Sequence, residues 1–396
     1  MGDILFLAHR IPYPPDRGDK IRSFHILKHL AARHRVHLVA FADDAADLAG
    51  ERALSGLIAS STIVPRTKSR ARAAAEALAS GRPISLAAFD DPALRAAVDR
   101  VLADPKVDLV YVFSGQMAQY LPQGSGQRVL MDFVDMDSAK FAAYAEAARG
   151  PKAWAMRREA RLLGRFERAV AARAEASLFV SEAEAAPFRA IVPGARVLAV
   201  ENGIDAAFYD PALPFDAPAS GPLIVFTGQM DYPPNVEAVR WFATNMLPAI
   251  RRAHPAARFA IVGRAPTSEV RALASDGVIV TGAVPDVRPW LAAAACVVAP
   301  LRLARGIQNK VLEAMAMARP VVASTAAAEG IDHAGTILVG ADGEAIATAV
   351  FQTLDQPAMA AARGAAARLQ VLARYAWPAR LASLDALFAG EVRQAA

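Results

Sequence analysis

Apolar positions along this chain come in short solid runs, each closed by polar or turn-forming residues. Residues 4–8, 36–41, 61–64, 108–113, 128–133, 177–180 and 196–200 read as strands buried on both faces. Helical spacing fills the gaps, first over about 19–33 and next from a start at Asp43. Strands alternating with helices at this spacing predict a doubly wound parallel sheet. The pattern lapses after residue 205, where Pro211, Pro214, Pro218 and Pro222 interrupt a stretch without period. It then restarts, with strands at 223–227, 258–262, 278–281, 296–299, 321–323 and 336–339 and helices at 235–252 and 309–318. From Asp342 onward the chain reads as helical, interrupted at Trp377-Pro378.

This predicts an α/β protein of two doubly wound, Rossmann-like parallel-sheet domains, residues 1–205 and 222–375, joined by a linker at 206–221. Residues 376–396 are expected to form a C-terminal helix packing back on the first domain. Two such sheets in tandem place a ligand crevice outside the carboxyl ends of their strands. The length agrees, since 396 residues exceed one ordinary core.

Composition narrows the function classes. With 54% hydrophobic and 21% charged residues the chain is not a disordered one. A net charge of +5 is too small to argue for a nucleic-acid partner. The single cysteine, Cys296, lies in an apolar run and reads as a buried strand thiol, which leaves no disulfide framework and no Cys/His metal site. No apolar run reaches the roughly 18 residues of a membrane span. The first ten residues lack the basic region and apolar length of a signal peptide, so a cytoplasmic protein is expected.

Four loops carry candidate chemistry. Gly18 sits where the first strand hands over to a helix, with Arg17, Lys20 and Arg22 nearby, so backbone N–H groups there either face an anion or simply enter a helix. No G-x-G-x-x-G follows this strand, which counts against a dinucleotide oxidoreductase. Asp132, Asp135 and Asp137 end a strand; they either serve a polar substrate or general-base role, or cap the next helix through Asp137 or Ser138. Gly228, opening the second domain, permits close approach of a ligand or a tight turn, and Asn235 is expected to cap the next helix. Lys310 and Glu313 lie three apart on one helix face, either as an exposed pair or as a grip for phosphate and adjacent hydroxyls. Separately, Lys152, Arg157, Arg158, Arg161, Arg165, Arg168 and Arg173 make a basic amphipathic helix, and Arg66, Lys68, Arg70 and Arg72 a second basic run. Each is either a solvated face or a contact with an anionic membrane surface.

The run Asn309-Lys310-Val311-Leu312-Glu313-Ala314-Met315-Ala316, followed by Arg319-Pro320-Val321-Val322, resembles the signature of retaining GT-B glycosyltransferases of family 4. Ser181-Glu182 and Asn202-Gly203-Ile204-Asp205 are similar to further elements of that family. Pro12-Tyr13-Pro14-Pro15 with Gly18, Asp19 and Arg22, and the stretch from Thr227 to Asn235, resemble a narrower group, the exosortase (PEP-CTERM) associated sugar transferases of exopolysaccharide synthesis. The resemblance covers nearly the whole chain. It implies a GT-B fold, a nucleoside diphosphate sugar bound by the C-terminal domain without a metal or other cofactor, and a glycan or lipid-linked acceptor bound by the N-terminal domain.

Carried over by position, Glu313 would bind the ribose, while Lys310 and the N–H groups near Gly306 and Ile307 would face the diphosphate or sugar. Gly18 and Asp19 would approach the donor from the other domain, and Gly228 and Gln229 from its own. Asp135, Asp137 and Arg305 are the catalytic candidates. Arg305 stands where the family keeps an acid on the donor sugar, and Asp135 or Asp137 stands in the region of a family histidine. The expected activity is hexosyl transfer with retention at the inner face of the cytoplasmic membrane. A sugar-nucleotide epimerase and an inactive sugar-nucleotide-binding partner are the alternatives, with a dehydrogenase last.

Overall fold

The computed structural model describes residues 2–15, 17–121, 126–304 and 306–389. Two compact units divide the chain. One runs to Asn202 and resumes at Arg380; the other is Gly203–Ala379.

The first unit holds a seven-stranded sheet: β1 (Asp3–Ala8), β2 (Arg35–Ala42), β3 (Ser60–Pro65), β4 (Val107–Phe113), β5 (Arg128–Val134), β6 (Ala176–Phe179) and β7 (Val197–Ala199). Its order is β3-β2-β1-β4-β5-β6-β7, every pairing parallel. All six residues of β1 are buried, as expected of a central parallel strand with helices on both faces. The second helix begins at Ala45 rather than at Asp43, because the Asp44 side chain accepts the Asp47 amide and sets the start. The chain from Arg380 belongs to this unit: Asp385 accepts from the His29 ring at 2.6 Å, and Arg128 donates to the carbonyls of Leu387 and Phe388.

The second unit holds a six-stranded parallel sheet: β8 (Leu223–Thr227), β9 (Arg258–Val262), β10 (Val278–Gly282), β11 (Ala294–Ala299), β12 (Val321–Ser324) and β13 (Leu338–Gly340). The order is β10-β9-β8-β11-β12-β13, so the winding reverses between β8 and β11. Cys296 is fully buried in β11, and burial pushes its thiol up to about 12.

Three expectations change here. The helix expected over 235–252 is Pro233–Trp241, a wide turn at Phe242–Met246 and Leu247–Ala253. Pro248 has no N–H to give the carbonyl of Thr244, so the ladder opens there. The C-terminal helical stretch breaks at Pro357 as well as near Trp377, giving Gly343–Asp355 and Pro357–Arg374. The segment 206–221 is no free connector, because the second unit grips it. Arg368 donates to the carbonyl of Tyr209 at 2.8 Å, and the Arg288 guanidinium lies 3.8 Å from the Phe208 ring centroid. Among the described residues no helix is long and apolar enough to cross a membrane.

Candidate functional site

In the second unit the switch between β8 and β11 gathers the chemistry. Loops leaving two neighbouring strands in opposite directions open a gap between them. The β8 loop brings Gly228, Gln229 and Asn235; the β11 loop brings Gly306, Ile307 and the helix Asn309–Ala316 with Lys310 and Glu313. Lys310 Nζ donates to Asn235 Oδ1 at 2.6 Å and lies 4.2 Å from the Phe226 ring centroid. Burial lowers its pKa to about 8, with the Glu313 carboxylate opposing the shift. Asn235 is buried inside its helix, not at the cap; Tyr232 takes the cap position. Its amide instead bridges the two loops, donating Nδ2–H to the carbonyl of Gln229 at 2.9 Å while accepting from Lys310.

Glycines make this closeness possible. A Cβ on Gly263 would stand 1.7 Å from the Gly228 carbonyl oxygen, and one on Gly228 would stand 2.8 Å from Asn235 Nδ2 and 3.3 Å from Lys310 Nζ. Gly306 adopts φ +64, a left-handed turn that suits glycine, just before the helix. That helix has no side-chain cap on its first amides. Gln229 is exposed and accepts from Arg264 at 2.9 Å; Ile307 is half-buried against the core. Arg305 lies outside the described residues.

Glu313 is raised above the usual carboxylate range by burial, against a hydrogen bond from Tyr209 and the charge of Lys310. Tyr209 in turn is pushed above its ordinary range by burial and by Glu313. The Tyr209 hydroxyl therefore donates to a carboxylate that it helps to orient. Sequence reading missed this residue, since it lies in the proline-rich stretch taken for a linker, and nothing in that pattern marks it. The asparagine was noticed, but as a cap rather than as the partner of Lys310.

In the first unit several assignments change. Lys20 and Arg22 do not face an anion at Gly18. Lys20 is buried on Asp47 at 2.6 Å. Arg22 is buried on Asp132 at 2.9 Å, and it also donates to the carbonyl of Val200 and to Asn202. Asp132 accepts the Tyr111 hydroxyl as well, at 2.7 Å. This carboxylate is thus structural and does not join Asp135 and Asp137. Gly18 opens the first helix without a side-chain cap, and the space beside its Cα is empty to 4 Å. Asp19 is tied to Arg10 and His9; against the cost of burial, they hold its carboxyl well below the usual range. Arg10 also bonds Asp43, which Arg66 reaches at 2.7 Å, so four charged side chains form one network after β1–β3.

Asp137 is the first residue of its helix, not the cap, which is Met136; Lys140 pairs with it. Ser138 is no cap either, because its amide and hydroxyl both donate to Glu167. Asp135 follows Val134, a β-branched residue held at φ +69. Partial burial, then the carboxylates of Glu184 and Asp137, raise the Asp135 pKa. Among the described residues no three His, Cys, Asp or Glu side chains gather as a metal site.

Residues 221–356 match the family model Glycosyl transferases group 1. A curated relative, the lipopolysaccharide core biosynthesis mannosyltransferase LpcC of Rhizobium leguminosarum bv. viciae, is 33% identical over 118 residues, 29% of this chain. That match spans 33% of LpcC, so only a third of the relative is represented in it. Sucrose-phosphate synthase from Thermosynechococcus elongatus shares the fold over 100% of both chains, with a TM-score of 0.58 at 18% identity. HepE of Anabaena, solved in complex with UDP, matches 98% of this chain and 100% of its own, with a TM-score of 0.57 at 16% identity. The same HepE was also solved in complex with UDP-glucose. The chain therefore has a GT-B glycosyltransferase fold, and Gly228, Asn235, Lys310 and Glu313 all lie within the segment that matches the model of glycosyl transferases group 1.

Proposed function

We propose that this protein transfers a hexosyl residue from a UDP-linked sugar to a glycan or lipid-linked acceptor. The reading rests above all on Glu313 and Lys310, held on one helix face within the matched segment, with Tyr209 on the carboxylate and Asn235 on the ammonium. A carboxylate with one oxygen occupied by Tyr209 still accepts two adjacent ribose hydroxyls. Lys310 and the uncapped amides after Gly306 would take the diphosphate. Transfer breaks the bond from the anomeric carbon to the diphosphate oxygen and forms one to an acceptor oxygen, whose proton leaves. Charge then grows on the departing diphosphate, and a cation already in place stabilises it without reorganisation. UDP is favoured by the HepE complexes, and retention by the resemblance of the Lys310–Glu313 segment to retaining enzymes.

For the first unit, Gly18 and Asp19 would approach the donor, and Asp135 and Asp137 would meet the acceptor. Arg305 would bind phosphate in place of the family acid. The likeness of the loops at residues 12–22 and 227–235 to exosortase-associated transferases supports a place in exopolysaccharide assembly. The test is a thermal-shift screen of UDP, GDP, ADP and their sugars, followed by transfer assays with the labelled donor. Stabilisation by UDP together with loss of UDP affinity in Glu313→Ala, with an unchanged melting point of the free protein, supports the reading. Equal UDP affinity in that variant removes Glu313 from the donor site. Release of a changed sugar without any acceptor would mark an epimerase instead.

A further inference from the structure

Two neighbouring strands of the first sheet end in the same unusual way. β4 is followed by Ser114 at φ +77, and β5 ends in Val134 at φ +69. Residues with a Cβ avoid this region, so they stay in it only where the surroundings fix them, and such positions gather at functional sites. At Val134 the surroundings are specific. The pairing of β5 with β6 slips between Asp132 and Val134, which turns the strand end aside. The Val134 amide donates to Asp132 Oδ1 at 3.1 Å, and its carbonyl accepts the Val180 amide at 2.8 Å. Asp132 is itself held by Arg22 and Tyr111. Two residues further on, the Met136 amide donates to Glu184 Oε2 at 2.8 Å. Glu184 comes from the first turn of a separate helix, Glu182–Ile191, whose cap Ser181 accepts the Glu184 amide at 3.3 Å.

The backbone is therefore pinned on both sides of Asp135. Its carboxylate is solvent-accessible and accepts no hydrogen bond among the described residues. Asp137 lacks this freedom: Lys140 Nζ holds its Oδ1, and Gln116 Nε2 reaches its Oδ2 at 3.5 Å. Four charges surround Asp135, namely Glu184 on its own helix, Asp137 and Lys140 on the helix Asp137–Ala147, and Arg22 on the first helix. Partial burial and the two carboxylates outweigh the two cations, so Asp135 keeps a proton to higher pH than an ordinary aspartate. That makes it the stronger base of the two acids.

We infer that Asp135 is the base that takes the proton of the acceptor hydroxyl, and that Glu184 is its positioning residue, fixing the turn that presents it. The inference rests on the transferase reading above. In the step, the acceptor oxygen bonds to the anomeric carbon. The bond from that carbon to the diphosphate oxygen breaks, its electron pair going to the diphosphate, and the acceptor proton passes to Asp135.

UDP release from UDP-glucose, with octyl glucoside or water as the acceptor, tests it from about pH 4 to 8. Asp135→Asn should lower kcat about a hundredfold, while calorimetry shows native UDP affinity because the donor residues are untouched. Glu184→Ala loses the bond to Met136 and should lower kcat about tenfold; Glu184→Gln keeps an oxygen for that amide and should recover most of the loss. The charge gives the glutamine variant its own signature. Turnover needs the Asp135 carboxylate, so it is lost as pH falls through the Asp135 pKa. Without the Glu184 charge that pKa drops, and the acid limb of the profile moves to lower pH. A residue that merely capped a helix would leave the limb in place. Carboxyl-carbon NMR of labelled aspartate, assigned with Asp135→Asn, reads the same shift directly, and circular dichroism melting checks that each variant folds. Native turnover in Asp135→Asn overturns the base, and an Asp135 titration unmoved by Glu184→Gln overturns the positioning role; both leave UDP binding through Glu313 and Lys310 standing. No UDP release by the native chain overturns the transferase reading and the base together.

Discussion

If Lys310 holds the donor diphosphate, donor affinity must fall across a pH range in which an ordinary lysine would not titrate. Burial sets its pKa at about 8 in the free protein. The sign follows directly: the charged form is present at pH 7 and is lost as pH rises through 8. About nine-tenths of the protein carries the charge at pH 7, and about a quarter does at pH 8.5. If only the ammonium form grips the diphosphate, the apparent Kd for UDP rises about fourfold over that interval, roughly 0.8 kcal/mol. The terminal phosphate of UDP, with a second ionisation near about 6, is already ionised throughout. Calorimetry at pH 7.0 and 8.5 measures the change directly. In buffers of different ionisation enthalpy it should also show proton uptake of about three-quarters per site at the higher pH, because a bound diphosphate restores the proton. Lys310→Arg should keep the affinity and flatten the profile, since guanidinium does not titrate there. Lys310→Met should bind more weakly and equally at both pH values. A flat profile in the native protein, or an unchanged slope in Lys310→Met, would refute the assignment of the diphosphate to this lysine.

Other consequences are testable at the same bench. Tyr209→Phe removes the donor to Glu313 and should weaken UDP binding about tenfold while the free protein still folds, as read by calorimetry and melting. Gly228→Ala places a methyl 3.3 Å from Lys310 Nζ and closer still to Asn235, so UDP affinity should fall in a folded protein; Gly263→Ala, at 1.7 Å from a backbone oxygen, should instead prevent folding, as circular dichroism would show. Arg22→Ala leaves the buried Asp132 carboxylate unpaired and should cost about 3–5 kcal/mol in urea unfolding; a change under about 1 kcal/mol would mean that the pair contributes little.

The sheets were readable from the sequence because their strands are covered on both faces, so each appears as an unbroken apolar run. β8 and β9 lie where that pattern puts them. Lys310 and Glu313 were readable for a different reason, being neighbours on one helix turn. What pattern cannot show is pairing across distance. Lys20 meets Asp47 and Arg22 meets Asp132 over separations of 27 and 110 residues, and each match turns a supposed anion-facing cation into an internal tie. Asn235 was misread for the same reason, because its partner Lys310 is 75 residues away. Helix ends fared less well, since caps depend on which side chain wins an amide, and Glu167 took Ser138 from that task.

The grip of Arg368 and Arg288 on residues 208–210 bears on how this protein can be cut. A fragment begun at the restart of the strand pattern, or at residue 221 where the family match starts, would look like an intact nucleotide-binding domain. It would lack Tyr209 and the bridge from Ile204 to Ala376. Such a truncation would keep Glu313 and lose the hydroxyl that aims it, so weak nucleotide binding by the piece would be an artefact of the boundary. A faithful fragment has to begin at Gly203.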